Sequence, residues 1–375
     1  MIITKKIFLT LIILIVFISC ENKKLIIDTF NEEITKIQKV YAPDLSLNIF
    51  DVTILFEEGS WVLRGETTVK EAPKIVASKA ESLLGKNNYR NEFILLPASS
   101  LGDSSYALVR VSVAHLREKP RHAAQLVDQN IMGKTIRLLK NKGGWYLVQT
   151  EYGYIGWMRR ESFDRTNMAG INNWNKSKKV RIIKLFPMIY SQPDEDSEPV
   201  IDAVLNALLR LEGKSGKWLK VSTPDGRVGF IKEQFVTTDI KPDIAEEKLA
   251  FSILKTAKSM MGIPYLWGGN SSKGNDCSGF TQTVFKANGL QLQRDARQQA
   301  LEGEEIIPDE NFSNVKAGDL LFFGPNERIT HVGISIGEAE FIHQSGDVHI
   351  NSLDSTVTNY SPYRRKTLKI IKRVL

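Results

Sequence analysis

Cysteine is nearly absent: Cys20 and Cys277 are the two in 375 residues. That scarcity excludes a disulfide-stapled scaffold, and it excludes a thiolate metal site, which needs closely paired cysteines. Histidine is scarce too, with five in the chain. No His-Glu-Xaa-Xaa-His stretch occurs, so the zinc-peptidase signature is missing. The apolar run near the N-terminus, Ile7 to Ile18, holds twelve residues interrupted only by Thr10. As a helix it would rise about 18 Å, short of a hydrocarbon core roughly 30 Å thick. Nothing in the chain resembles a nucleic-acid module. The formal net charge of +7 is diffuse, its clearest run being Arg364-Arg365-Lys366 to Lys372-Arg373. Such an excess reads as a solvated face or an attraction to anionic wall polymers or membrane surfaces.

The N-terminus carries more information. Lys5-Lys6, the short apolar run and a small residue before Cys20 form a signal-peptide pattern. Ser19-Cys20 resembles a bacterial lipoprotein box, with Phe17 where that pattern usually has Leu. The resemblance implies cleavage before Cys20, lipidation of its thiol, and residence in the cell envelope on a membrane anchor. Cys277 would then be a lone thiol in an oxidising compartment, either buried and inert or a nucleophile.

The chain is long enough for several domains. Residues 1–19 read as the signal peptide, 20–30 as a lipidated tether and 31–103 as a small α+β module. Within that module Glu33 to Val40 is a candidate helix. Leu47 to Leu55, Ser60 to Thr67 and Phe93 to Leu96 are candidate strands, and Ala72 to Leu84 is a helix ending at Gly85. This order resembles small exported modules of the BON type. Residues 104–168 and 169–240 repeat one another at a shift of 73: Gly143, Trp145, Val148, Gly153 and Gly156 meet Gly216, Trp218, Val221, Gly226 and Gly229. Each copy has room for about six short strands, which predicts a small barrel. Both resemble bacterial SH3-like domains, whose tryptophans serve the core before any ligand. Asp243, with Glu246 completing a capping box, is the expected start of the last domain, 241–375, an α+β unit.

That domain contains the chemistry. Asp276-Cys277-Ser278-Gly279-Phe280 follows a Gly-rich loop, and Phe280, Val284 and Ala287 then recur at helical spacing. Cys277 is thus expected at a helix N-terminus, where free N–H groups and the helix dipole lower a thiol pKa and supply an oxyanion donor. His115 and His122 fall in a turn-rich stretch and read as surface residues. His331 opens one apolar run and His343 closes the next, a hairpin pattern. A shared face follows if the two histidines stand directly opposite each other, which predicts a loop of three or five residues. His331 would then act as the base and His343 would orient it. Two ordinary strand histidines beside a buried cysteine remain the alternative.

Tyr265-Leu266-Trp267-Gly268-Gly269, Asp276 to Phe280, Ala317 to Phe323, Thr330 to Ile334 and Phe341 to Ser345 together resemble the NlpC-type cell-wall endopeptidases. These are papain-like cysteine peptidases with a Cys-His-His triad, matched here by Cys277, His331 and His343. The resemblance covers roughly 245–365. It implies a multidomain chain: an N-terminal α+β module, two small SH3-like β-barrels and a C-terminal α+β papain-like peptidase domain. The implied reaction is cleavage of the γ-D-glutamyl–diamino-acid bond of peptidoglycan stem peptides or muropeptides. The branch with two SH3-like domains prefers a free N-terminal L-Ala. Carried over by motif, Tyr265, Asp276, Ser278, Asp295 and Tyr154 line the substrate cleft. Gln125 stands where the branch has an acidic group, and Ala296 where it often has Ser. No metal or cofactor, no nucleic acid and a monomeric chain are implied. An inert wall-binding scaffold and an acyl or peptidyl transferase using the same cysteine are the alternatives.

Overall fold

The computed structural model describes residues 2–239 and 246–375, with side chains described from Glu21 to Asp239 and from Lys248 onward. The Asp243–Glu246 cap expected from sequence lies outside the described residues. The chain divides into two compact units, 1–101 and 102–375.

In the first unit, α1 (Ile2–Tyr41) is followed by the hairpin β1 (Phe50–Glu57) and β2 (Ser60–Thr67). Next come α2 (Ala72–Leu84) and β3 (Tyr89–Leu95), which returns parallel to β2. The helix expected from Glu33 is far longer, and its packed face begins earlier: Phe30, Ile34 and Ile37 join Val76 and Ala80 of α2 over the sheet, with Ile27 at the margin. The stretch expected as a tether is therefore helical, and its end contributes to the core. No described helix is long and apolar enough to cross a membrane.

The second unit opens with two sheets of seven strands. The first is built from β4 (Tyr106–Val109), β5 (Val113–Arg117), β6 (Leu126–Ile131), β7 (Thr135–Lys142), β8 (Trp145–Thr150), β9 (Ile155–Arg159) and β10 (Phe163–Thr166). After α3 (Met168–Lys176) come β11 (Lys179–Ile182), β12 (Met188–Tyr190), β13 (Pro199–Asp202), β14 (Leu208–Ser215), β15 (Trp218–Ser222), β16 (Val228–Lys232) and β17 (Val236–Thr237). The strand orders, β10-β4-β7-β8-β9-β5-β6 and β13-β12-β16-β15-β14-β11-β17, are one topology traversed from opposite ends. The repeat of 73 reaches the register: Trp145 pairs with Arg159 as Trp218 pairs with Lys232. Trp145 is buried while Trp157, Trp218 and Phe230 are half-buried, so these rings serve packing first. The two sheets lock together where the Trp174 indole donates to Gly133 O (3.0 Å) and Ile131 and Met132 enter the second core.

The last part packs α4 (Glu246–Ser259) and α5 (Cys277–Ala287) on an antiparallel sheet. Between those helices β18 (Asn270–Ser271) and β19 (Gly274–Asn275) form a small ribbon. The short α6 (Ala296–Gln299) follows. The sheet comprises β20 (Glu304–Ile306), β21 (Leu320–Phe323), β22 (His331–Gly337), β23 (Glu340–Ser345), β24 (Asp347–Ser352) and β25 (Leu368–Arg373), with α7 (Pro362–Thr367) before the last strand. Its order is β20-β25-β21-β22-β23-β24. Ile253, Phe280, Val284, Phe322, Val332, Ile334 and Ile342 form the core between helices and sheet. At about 25 cal/mol per Å² of apolar area removed from water, side chains of this size contribute roughly 1.5–3 kcal/mol each.

Candidate active site

Asp276 makes the start of α5. It is the N-cap, and its Oδ1 accepts from Gly279 N at 2.7 Å. Cys277 is the first helical residue, so its own N–H has no partner within the helix. Two glycines allow this start to be so compact. A Cβ on Gly279 would fall 2.0 Å from Gly269 O, and a Cβ on Gly268, at φ +73°, would fall 2.3 Å from Leu126 O on β6. The Cys277 helix is thereby pressed onto its own loop, and that loop onto the first barrel.

Behind Asp276 stands Arg294, 1% exposed. Its guanidinium donates from Nη1 to Asp276 Oδ1 (3.0 Å), from Nη2 to Asp276 Oδ2 (2.7 Å) and from Nε to Asp128 Oδ1 (2.6 Å). Asp128 lies on β6, is fully buried, and also accepts from the Tyr152 hydroxyl and from Asn270 Nδ2. Burial works against the Arg294 charge, but the Asp276 and Asp128 carboxylates outweigh it and hold its pKa well above the usual range. A charged bridge thus runs from the barrel to the cap of the Cys277 helix. Neighbouring contacts reinforce it: Asn270 N and Ser271 Oγ both donate to Gln129 Oε1 at 2.9 Å.

His331 and His343 meet. His331 Nε2 is 2.8 Å from His343 Nδ1, and the rings stand at 88°. The register is not the expected one. Gly333 pairs with His343, Ser335 with Phe341 and Gly337 with Glu340, so Ile336 is bulged and the loop is only Glu338-Ala339. The extra residue restores the parity that a two-residue loop would break, and His331 reaches His343 diagonally on the same face. His343 Nε2 in turn lies 2.9 Å from Asn351 Oδ1 on β24. Cys277 Sγ sits 4.0 Å from Thr330 O, and the Val332 backbone N–H favours its thiolate, so the sulfur lies against the chain on both sides of His331. His115 and His122 are on the surface.

Electrostatics also depart from the expectation. The thiol is 7% exposed, and burial, then the Asp276 carboxylate, push its pKa up to about 12 despite the helix N-terminus. Burial lowers both imidazoles, His331 well below its usual value and His343 to about 3, with Arg364 adding to both shifts. The resting site is therefore a neutral thiol beside neutral imidazoles.

Cys277 lies in a cleft of about 270 Å³ between the first barrel and α5. Gln125 and Tyr154 form its barrel side; Tyr265, Trp267, Asp295 and Arg297 form the other. Asp295 Oδ1 accepts from the Tyr154 hydroxyl at 3.3 Å, and its Oδ2 takes Arg297 Nη2 at 3.1 Å. Burial and Asp295 raise the Tyr154 pKa; burial, Cys277 and Asp276 raise that of Tyr265. Asp276 and Ser278 touch the cleft but are already engaged. Asp276 also accepts from Gly268 N (3.0 Å), and Ser278 Oγ accepts from Arg294 Nη1 (3.0 Å). Among the described residues no cluster of three or more His, Cys, Asp or Glu side chains gathers to hold a metal.

Residues 262–367 match the NlpC/P60 family model, and residues 116–163 match the bacterial dipeptidyl-peptidase Sh3 domain. Dipeptidyl-peptidase 6 of Lysinibacillus sphaericus is 31% identical over 263 residues, 66% of this chain and 92% of that protein. The chain belongs to the NlpC/P60 family. The γ-D-glutamyl-L-lysine dipeptidyl-peptidase of Bacillus subtilis is 33% identical over 227 residues, covering 57% of this chain and 71% of the relative. An NlpC/P60 family structure from Bacillus cereus shares the fold with a TM-score of 0.62 at 24% identity, over 72% of this chain and all of that one. This NlpC/P60 chain is a cysteine peptidase, and within the matched segment Cys277 is the single cysteine.

Three contributors were not singled out from sequence. Asp128 has no local signal, because its partner is 166 residues away. Arg294 precedes Asp295 and carries no local sign of its burial. Asn351 did leave a trace: it is a polar residue two positions after His349, which pairs with His343.

Proposed function

We propose that this peptidase hydrolyses the γ-D-glutamyl–diamino-acid bond of peptidoglycan stem peptides, with Cys277 as nucleophile, His331 as base and His343 as its orienter. The observation that carries the reading is one cleft lined by both Cys277 and Asp295, with the Tyr154 hydroxyl donating to Asp295 Oδ1. A carboxylate in the same cleft as the thiol suits the free ammonium group of a fragment bound there. The relative named γ-D-glutamyl-L-lysine dipeptidyl-peptidase supports the same bond.

In this reading His331 takes the thiol proton as sulfur attacks the carbonyl carbon. The Cys277 N–H steadies the oxyanion, and the protonated His331 then gives its proton to the leaving amine. Water hydrolyses the thioester and releases the acyl fragment. Tyr265 and Ser278 border the acyl site. Asp276 acts through the helix cap and Arg294 rather than as a free ligand. Cys20 would carry a lipid after removal of residues 1–19, holding the enzyme at an envelope membrane as a monomer.

Digestion of L-Ala-γ-D-Glu-diamino-acid tripeptide, free and N-acetylated, tests the reading. The free peptide is expected to be cleaved and the acetylated one at least about tenfold more slowly. Cleavage of neither would overturn the assignment, and equal cleavage would remove the role of Asp295. Asp295→Asn should lose about 10–100-fold in kcat/KM on the free peptide, as expected for a lost charged hydrogen bond.

A further inference from the structure

We propose that Asn351 is a positioning residue that fixes the direction in which protons point along His343 and His331, and so leaves His331 with a lone pair for Cys277. The proposal rests on the reading of Cys277, His331 and His343 as the catalytic trio. The orientation is set outside that trio, at Asn359. The Asn359 carbonyl can only accept, and it takes a hydrogen from Asn351 Nδ2 at 3.2 Å. The Asn351 amide is thereby oriented with Oδ1 toward His343, 2.9 Å from its Nε2. An amide oxygen also only accepts, so the neutral His343 carries its proton on Nε2 and presents a lone pair at Nδ1. His331 Nε2, 2.8 Å away, must then be the donor. A neutral imidazole has one ring proton. With it on Nε2, His331 Nδ1 is unprotonated, and it is the nitrogen left to meet the sulfur lying beside Thr330 and Val332.

The chain balances during attack. The thiol proton moves to His331 Nδ1 while the sulfur–carbon bond forms, and the imidazolium keeps its Nε2–H on His343. Nothing else along the relay needs to move. Without the Asn351 oxygen, His343 is free to carry its proton on Nδ1. Two N–H groups would then face each other, and His331 would relieve this by moving its proton to Nδ1, pointing a hydrogen at the thiol. The base is lost although every member of the trio is present.

Other groups face these rings. His349 packs at 4.5 Å between ring centroids, and its Nδ1 lies 2.8 Å from Asp347 Oδ1. Phe341 and Phe323 supply apolar walls, and Arg364 of α7 stacks over Phe323. Among these neighbours none offers His343 Nε2 the acceptor that Asn351 gives.

The test is nitrogen-15 NMR of the histidine rings in the full chain near pH 7.5, alongside kcat/KM profiles. The wild type should show both His331 and His343 as Nε2–H tautomers. Asn351→Ala should move His343 toward Nδ1–H and lower kcat at least about tenfold with KM little changed, since a misplaced tautomer removes the base. Asn351→Asp keeps the acceptor; it should retain the wild-type tautomers and recover most of kcat, and its carboxylate should move the acidic limb of the profile to higher pH. A wild-type His343 protonated on Nδ1, which needs no variant to detect, would overturn the proposal. So would Asn351→Ala with unchanged tautomers and unchanged kcat. The underlying catalytic reading fails separately, through retained activity of Cys277→Ala, so the two failures are distinguishable.

Discussion

His331 Nε2 stands 2.8 Å from His343 Nδ1, so the proposed base leans on a neutral ring rather than on a carboxylate. A carboxylate would raise the proton affinity of His331 and favour a resting thiolate–imidazolium pair. Here burial pushes the thiol up and both imidazoles down. The proton is expected to leave Cys277 only as the substrate carbonyl is attacked. Alkylation of the substrate-free enzyme by iodoacetamide should therefore rise continuously from pH 6 to pH 9. A plateau beginning below pH 6 would reveal a preformed ion pair.

The same shifts bear on stability. An unfolded histidine titrates near 6.5, and folding lowers His343 to about 3. Below pH 6.5 the unfolded chain binds protons that the folded chain refuses, so stability present above that pH is lost as pH falls toward 3. The slope approaches about 1.4 kcal/mol per pH unit for each such ring. Urea midpoints at pH 7 and pH 5 should fall further for the wild type than for His343→Gln. Equal falls would contradict the burial of a neutral ring.

Arg294 joins two domains through Asp276 and Asp128. Removing one member of a buried charged set leaves the others unpaired, at a cost of about 3–5 kcal/mol. Arg294→Ala should lower unfolding free energy by that amount. Arg294→Lys should not restore it, because an ammonium cannot fork across Asp276 while reaching Asp128. A near-neutral result in denaturant titration would show that the bridge is dispensable.

Gly279 admits no side chain. A Cβ placed 2.0 Å from Gly269 O forces the first turn of α5 away from its loop. Gly279→Ala should cost about 1–3 kcal/mol and reduce kcat through displacement of Cys277. Wild-type melting and kcat in this variant would mean that the loop yields freely.

Much of this was legible in the chain because the relevant signals are local. The repeat of 73 survives as glycines and aromatics at fixed positions in hairpins, and the two sheets share one strand order. The helix at Cys277 follows from the Gly-rich loop before it and the apolar stripe Phe280, Val284 and Ala287. The hairpin register was not legible. Alternation fixes the face of each strand, but a single bulged residue, Ile336, resets the parity without altering composition. The thiol pKa failed for a related reason: the helix N-terminus is visible in sequence, whereas burial to 7% exposure and the Asp276 charge beside the sulfur come from packing. Asp128 and Arg294 meet only because the first barrel docks beside the ribbon of β18 and β19.

Cys277 is expected to form a covalent acyl intermediate with the glutamyl carbonyl. Acid quench of the enzyme during turnover of the free tripeptide, followed by peptide mapping, should find the dipeptidyl group on the Cys277-containing peptide of the wild type and on no peptide of Cys277→Ala. Turnover by Cys277→Ala at the wild-type rate, with no adduct on either protein, would contradict it.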